Sequence, residues 1–464
     1  LSVRANGRPD GPNAGIPPKG MFTPARLLAV GFALVIAAGT LLLLLPFSTE
    51  DGRGLRLLDA FFTATSALCV TGLTVIDVGA TLSTFGELVV LALIQVGGLG
   101  VMTVTTLFAL ALGRRISLRG TVAVGEALGY ERLAAGRLVA REVMLMTVLV
   151  EAAGTFLLTL CFSGDMPLGR AAYFGVFHAV SAFCNAGFDL FGTSLVGYVT
   201  NVPANFIFMT LIIIGGLGFT VVAELLGHLP WRTARNGTRR RLSLHTTTVL
   251  KTSALLTLVA ILVILAFEWN NPVTLGSLPP GGRVLAAVFQ AITPRTAGFN
   301  TVPTGALLEP TLLFLMFLMF VGASPGSTGG GVKTTTLATM FAAILSGLRR
   351  REDVELGERR LPNEVALKAW IIATLGLGLV MLATLVLLMT EKTSLMAAAF
   401  EAVSAFGTVG LSTGITPELS PAGRLFLPLV MYAGRLGPLT LAVALARQRP
   451  VQAWRLPEER VIVG

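Results

Sequence analysis

The residues whose spacing most suggests chemistry are four glycines. Gly72, Gly187, Gly298 and Gly410 close four related segments: Ser66-Ala-Leu-Cys-Val-Thr-Gly72, Ser181-Ala-Phe-Cys-Asn-Ala-Gly187, Ile292-Thr-Pro-Arg-Thr-Ala-Gly298 and Ser404-Ala-Phe-Gly-Thr-Val-Gly410. They recur at intervals of 115, 111 and 112 residues, so the chain reads as four copies of one unit. Each glycine follows a pair that shares its loop: Val70 and Thr71, Asn185 and Ala186, Thr296 and Ala297, Thr408 and Val409. Glycine permits backbone conformations that turn carbonyl oxygens inward, and a ring of carbonyls can replace a cation's hydration shell. The implied chemistry is coordination of a passing cation, not bond-making. A lone glycine would usually serve helix packing; four in register point to a built structure. One glycine per loop suggests few fully dehydrated sites and modest discrimination between cations. The residue before the glycine varies (Thr71, Ala186, Ala297, Val409), so side chains at that position cannot form a symmetric ring.

Three basic residues, Arg295, Lys333 and Arg435, fall in or beside apolar segments, where charge is costly and therefore a functional candidate. Lys333 closes the run Gly322, Ala323, Ser324, Pro325, Gly326, Ser327, Thr328, Gly329, Gly330, Gly331, Val332. Apolar character spans the 38 residues from Thr311 to Leu348. One straight helix of that length would reach roughly 57 Å at 1.5 Å per residue, against a hydrocarbon core of about 30 Å. The glycine-rich middle has poor helix propensity, which predicts a broken helix with an intramembrane loop acting as a gate. Lys333 belongs to that gate or snorkels to the interface. Arg435 is expected to donate to loop carbonyls and repel cations while the gate is shut, or else to pair with a carboxylate such as Glu224 or Glu401. Arg295, beside the third glycine, is expected to pair with a pore-helix acid and brace the filter. Gly97-Gly98-Leu99-Gly100 and Gly215-Gly216-Leu217-Gly218 match in register and read as close helix packing. Cys69 and Cys184, at equivalent positions, read as small packed thiols, and His178, His228 and His245 suggest no chemistry.

These residues need elements to hold them. The chain is 53% hydrophobic and only 13% charged, well below the roughly 25% of a soluble domain. Long apolar runs such as Ala25 to Phe47, Val143 to Phe162 and Val365 to Met389 suit membrane-spanning helices. In every repeat a long apolar span precedes a short amphipathic stretch: Leu58 to Leu68, Ala171 to Phe183, Val284 to Ile292 and Leu395 to Phe406. Each stretch is too short to cross a bilayer and reads as re-entrant; such backbone at membrane depth is tolerated only inside protein or along water. Helix C-termini aimed at a shared axis would favour a cation there.

The net charge of +10 does not signal nucleic acid, because basic residues concentrate in the tails and in three inter-repeat linkers. Arg114, Arg119 and Arg137 mark the first linker, Arg232, Arg239 and Arg241 the second, and Arg349, Arg351 and Arg360 the third. The other side holds Arg53, Arg56, Arg170, Arg283, Lys392 and Arg424. The positive-inside rule then puts both termini and all linkers in the cytoplasm. The expected fold is an all-α polytopic membrane protein with four parallel membrane–pore-loop–membrane (M1-P-M2) repeats around one pore and eight transmembrane helices. The predicted divisions are a disordered tail over 1–20, repeats over 21–113, 114–228, 229–348 and 349–446, and a C-terminal tail over 447–464.

The four motifs, Pro325 to Thr336 (Pro-Gly-Ser-Thr-Gly-Gly-Gly-Val-Lys-Thr-Thr-Thr), Gly434 to Thr440 (Gly-Arg-Leu-Gly-Pro-Leu-Thr) and the closing Pro457 to Gly464 resemble the Trk/Ktr/HKT superfamily, and within it the KtrB-type membrane subunits. Only Thr408-Val409-Gly410 is similar to the Thr-Val-Gly core of tetrameric potassium channels. The resemblance implies uptake of potassium, with sodium as an activator and no organic cofactor on this subunit. It implies a homodimer with one pore per subunit in a bacterial cytoplasmic membrane, and a cytosolic KtrA-like RCK ring that binds ATP or ADP. It assigns gating to the intramembrane loop and to the arginine at position 435. A TrkH-like subunit and an alternating-access carrier are the nearest alternatives. An ATPase is not supported: Gly326 to Thr334 echoes a P-loop, but Val332 separates Gly331 from Lys333 and breaks the required spacing.

Overall fold

The computed structural model describes residues 24–111, 136–228, 241–351 and 353–437. Both predicted tails, most of the first linker and half of the second lie outside the described residues, as do Pro438 to Thr440 and the closing motif.

One order of elements recurs four times. A leading helix (Pro24–Leu43, Gly136–Phe162, Leu244–Glu268, Asn363–Thr390) is followed by a short helix (Leu57–Leu68, Leu168–Phe183, Pro280–Ile292, Leu395–Gly407) and then by a trailing helical segment. The short helices begin as many as four residues earlier than their amphipathic pattern suggests. Pro280 starts the third, where its fixed φ and missing N–H suit the first helical turn. They lie largely inside the protein: Ala60, Phe62, Ala64, Phe177, Phe289 and Phe400 have no exposed surface, and polar Thr63, His178, Gln290 and Glu401 are buried with them.

The leading helices behave in the opposite way. Leu255, Leu258 and Leu262 lie at helical spacing on one outer stripe and are 61%, 56% and 59% exposed, and Leu377, Met381 and Leu385 repeat the pattern in the fourth repeat. Contiguous outward apolar surface of this kind marks a lipid-facing wall. Arg141–Phe162, Leu244–Glu268 and Asn363–Thr390 are long and apolar enough to cross a membrane, and Val202–Leu217 with Phe219–Gly227 makes a fourth such unit bent by 101°. Among the described residues the other trailing segments are shorter: Thr84–Gly100 stops at a kink, Glu309–Phe320 and Thr334–Leu348 are separated by a loop, and Pro421–Leu436 ends at Gly437.

Those interruptions are a feature the sequence reading confined to repeat three. Gly100 (φ 75°, ψ 144°), Gly218 (φ 91°, ψ 142°) and Gly437 (φ 83°, ψ 136°) sit in the left half of backbone space with nearly the same dihedrals. Each breaks or ends its trailing helix three residues after a packed glycine (Gly97, Gly215, Gly434). In repeat three the segment 321–333 separates Glu309–Phe320 from Thr334–Leu348. The all-helical expectation also misses a small hairpin in the third linker, Val354–Leu356 against Arg359–Leu361, turned by Gly357 at φ 63°.

The repeats close on one another. Gly79 packs against the Leu190 carbonyl, Leu195 N–H donates to Asn300 O (3.0 Å), and Gly305 packs against the Thr413 carbonyl. Arg424 in the last repeat pairs with Asp59 in the first at 2.6 Å. First, second, third and fourth units thus form a ring in chain order.

Candidate functional site

Each short helix ends in a loop held by its own last turn. Thr71 N–H donates to Ser66 O (2.8 Å), Ala186 to Ser181 (2.8 Å) and Val409 to Ser404 (2.9 Å). In the third loop Ala297 donates to Thr293 O instead (2.9 Å), one residue out of register; Pro294 stands in this turn. The first residue of each loop is left-handed: Val70 at φ 57°, Asn185 at 58°, Thr296 at 81° and Thr408 at 50°. The glycines follow at 85°, 73°, 80° and 93°, while the residue between is not left-handed. Alternating the sign of φ turns successive peptide planes the same way round, so their carbonyls share one side. For β-branched Val70, Thr296 and Thr408 this backbone is a genuine outlier. Such strain costs on the order of 1–3 kcal/mol per residue and persists where function over-determines it.

The four loops meet. A methyl group placed on Gly72 would land on the Ala186 carbonyl oxygen, one on Gly187 would lie 2.8 Å from that of Ala297, one on Gly298 would meet Val409 O, and one on Gly410 would meet Thr71 O. Each glycine therefore abuts the carbonyl before the next repeat's glycine, and the fourth returns to the first. Thr71, Ala186, Ala297 and Val409 are fully buried, so these unlike side chains pack away behind the ring. Leu73, Phe188, Phe299 and Leu411, next after the glycines, are buried as well.

Segment 322–331 lies against one side of this ring. Gly330 N–H donates to Thr408 Oγ1 (3.0 Å), and a methyl on Gly329 would meet the Thr296 side chain. The Asn185 amide satisfies all its partners when its oxygen accepts from Thr328 Oγ1 (3.0 Å) and Gly216 N (3.1 Å). First-position residues of three loops are thereby occupied by one segment. Ser324 and Thr328 N–H groups donate to Gly216 and Gly215 carbonyls, and Phe219 N–H donates to Gly326 O. The segment thus also sits on the break in the second repeat. Arg435 donates to Thr328 O and to Gly97 O, tying the segment to the first repeat. Glu401 and Glu224, its alternative partners, are engaged elsewhere.

A family model described as "Cation transport protein" (TrkH) matches residues 25–454. The Ktr system potassium uptake protein B of Bacillus subtilis is 36% identical over 96% of this chain and 97% of its own length. The protein of the same description from Vibrio alginolyticus is 38% identical over 95% and 94%. The potassium/sodium uptake protein NtpJ of Enterococcus hirae is 35% identical over 96% and 98%. The crystal structure of the potassium transporter TrkH from Vibrio parahaemolyticus superimposes with a TM-score of 0.72 at 21% identity, covering 92% of this chain and 86% of that one. This chain belongs to the TrkH family.

Two of the expectations drawn from single charges need correcting within this TrkH-family chain. The Arg295 guanidinium makes no ion pair or hydrogen bond among the described residues, and its buried Nε is without a partner. It borders a small crevice lined by Ile212, Ser253, Ile292 and Ala323, with no carboxylate in it, so bracing through an acid does not occur. Lys333 does not snorkel outward: its Nζ turns back to the carbonyls of Gly329 (2.6 Å) and Gly330 (3.2 Å). The two thiols pack as expected: Cys69 and Cys184 are free, buried and cap their short helices.

Sequence reasoning missed the break glycines, although a signal existed. Gly98-Leu99-Gly100, Gly216-Leu217-Gly218 and Arg435-Leu436-Gly437 are one motif in three repeats. Arg435 occupies the register where repeats one and two carry Gly98 and Gly216, which lie against Cys184 and Asn185. The Gln95 amide, 3.1 Å from Glu151 behind the second loop, also carried no sequence pattern.

Proposed function

We propose that this chain carries potassium ions into the cell through a single gated, channel-like path along the axis of the four loops. Its selectivity filter is the set Val70, Thr71, Gly72, Asn185, Ala186, Gly187, Thr296, Ala297, Gly298, Thr408, Val409 and Gly410, with backbone carbonyls replacing water around the ion. The cyclic approach of each glycine to the next repeat's carbonyl is the observation that carries this reading. The four short helices end at the ring, and their C-terminal partial charges favour a cation.

In this reading the segment 322–331 with Lys333 is the gate on the cytoplasmic side, latched to three filter loops and held by Arg435. The guanidinium adds positive charge below the filter and raises the cost of passage while the segment is seated. Eight spans in four parallel M1-P-M2 repeats, with linkers and termini in the cytoplasm, agree with the lipid-facing leading helices and the charge distribution. The family consists of cation transport proteins, and nothing in this chain needs bond-making chemistry. Relatives 36% and 38% identical carry the Ktr name, which favours a homodimer gated by a nucleotide-binding KtrA-like ring over a TrkH-like assembly. Sodium stimulation is part of the same proposal.

The test is potassium uptake in a bacterium lacking its own uptake systems, with and without co-expressed KtrA-type and TrkA-type rings. Growth and rubidium influx restored with the KtrA-type ring are expected. No influx with any ring, from protein present in the membrane, would contradict the proposal. Single-channel current steps would separate the open path from an alternating-access carrier, which turns over too slowly to show them.

A further inference from the structure

The four short helices can be compared nine residues before each filter glycine. Those positions hold Thr63, His178, Phe289 and Glu401, all with no exposed surface. Repeats two and four, which face one another across the ring, carry the two titratable groups, and both groups do the same thing. His178 Nδ1 lies 2.8 Å from Phe174 O, so it must carry the proton. Nε2 is then free to accept from Leu190 N–H at 3.3 Å, three residues past Gly187. Five phenylalanine rings surround the imidazole, Phe191 stacking at 4.6 Å. Glu401 Oε1 accepts from Ser412 Oγ, two residues past Gly410, and from Thr416 Oγ1 at 2.6 Å. Ser412 Oγ in turn accepts from Gly414 N–H (2.9 Å). In each case a wholly buried side chain ties the strand leaving the filter back to the helix entering it. At the same register in repeats one and three, Thr63 Oγ1 is unpartnered and Phe289 has no polar group.

Glu401 also has no cation beside it. The ion pairs among the described residues lie elsewhere, and its Oε2 is buried without a partner. A buried carboxylate without a counter-charge is costly. Its contacts are therefore those of a hydrogen-bond hub, not of one half of an ion pair.

We propose that Glu401 and His178 are positioning residues of the filter, which fix the outer strands of repeats four and two across one diagonal of the ring and thereby set the spacing of the coordinating carbonyls. The proposal rests on the conduction reading above. Filter spacing decides potassium-over-sodium discrimination more than it decides whether ions pass, so removal of either anchor should be read in selectivity. The conservative variants keep the acceptor: glutamine at either position retains a carbonyl oxygen facing Ser412 and Thr416, or Leu190.

The experiment compares rubidium and sodium influx in liposomes holding the purified full chain and the variants Glu401→Leu, Glu401→Gln, His178→Leu and His178→Gln. The leucine variants should lose rubidium preference by about tenfold, equivalent to ~1.4 kcal/mol, with the glutamine variants within about twofold of the parent. Should Glu401→Leu fail to fold, Ser412→Ala with Thr416→Val removes the same contacts from the other side and should lose preference equally. Unchanged preference in a folded leucine variant or in the double variant overturns the proposal, as does equal damage from leucine and glutamine, which would make the carboxylate charge or the imidazole ring essential instead of the acceptor. If instead the parent shows no rubidium influx, the conduction reading has failed and not this one.

Discussion

Two layers of the molecule treat the same fourfold repetition in opposite ways. In the layer of the four loops, unlike residues (Val70, Asn185, Thr296, Thr408) all take a positive φ, as do the glycines two positions on, although the third loop is tied one residue out of register. In the layer beneath, repeats one and two break their trailing helices at a single glycine and the described part of the fourth ends at one with matching dihedrals, while the third repeat inserts 321–333. That insertion contacts repeats two and four through Asn185 and Thr408, and Arg435 bridges it to Gly97 of repeat one. On the proposed reading an ion needs similar oxygens on every side, so the four loops stay alike. The proposed gate needs only one moving part, and the segment of repeat three supplies it.

The comparison breaks most severely if the filter layer is disturbed. Gly410 has φ 93°, and a side chain there would meet Thr71 O. Gly410→Ser should lower potassium preference by about tenfold or more, read as rubidium against sodium flux in liposomes. Unchanged preference would mean that the ring tolerates asymmetry. Next in size is the lower layer. Deleting Gly326 to Gly330 removes the contacts to Asn185 and Thr408 and should raise flux without a partner ring by about tenfold; equal or lower flux would show that the segment does not obstruct the path. Arg435→Gln loses the charge but keeps a donor to Thr328 O or Gly97 O. It should raise ring-independent flux by a smaller factor, about threefold, or ~0.6 kcal/mol. The smallest effect sharpens the contrast between ring closure and ion chemistry. Asp59→Asn, which breaks the pair with Arg424, should lower the unfolding free energy by up to about 1 kcal/mol and leave selectivity unchanged, measured by thermal unfolding in detergent and by the same flux ratio.

The meeting of the four glycine loops was legible in the sequence because glycine spacing survives where side chains do not. The third-repeat break was legible too, since a run such as Gly326 to Gly331 cannot continue a helix. The left-handed Val70 and Thr296 were not, because β-branched residues disfavour that backbone and what packs on them, Gly97 and Gly329, lies far along the chain. Gly100 and Gly218 were read as packing alone: a glycine in an apolar helix serves either purpose, and the break depends on what packs beside it. In repeat two that neighbour is the distant segment carrying Pro325 O, which lies where a Gly218 side chain would be. The acid expected beside Arg295 and the snorkelling alternative for Lys333 failed for a related reason. A charge's partner is set by tertiary proximity, and neither a missing acid beside Arg295 nor the carbonyls of Gly329 and Gly330 facing Lys333 leaves a mark in local sequence.

The most direct measurement is to locate the ion itself, by anomalous scattering from crystals of the protein grown in rubidium or thallium. A peak on the axis enclosed by Gly72, Gly187, Gly298 and Gly410, at coordinating distance from the carbonyls of Thr71, Ala186, Ala297 and Val409, is the predicted result. An empty ring, with the heavy cation bound only at carboxylates away from it, would contradict the account.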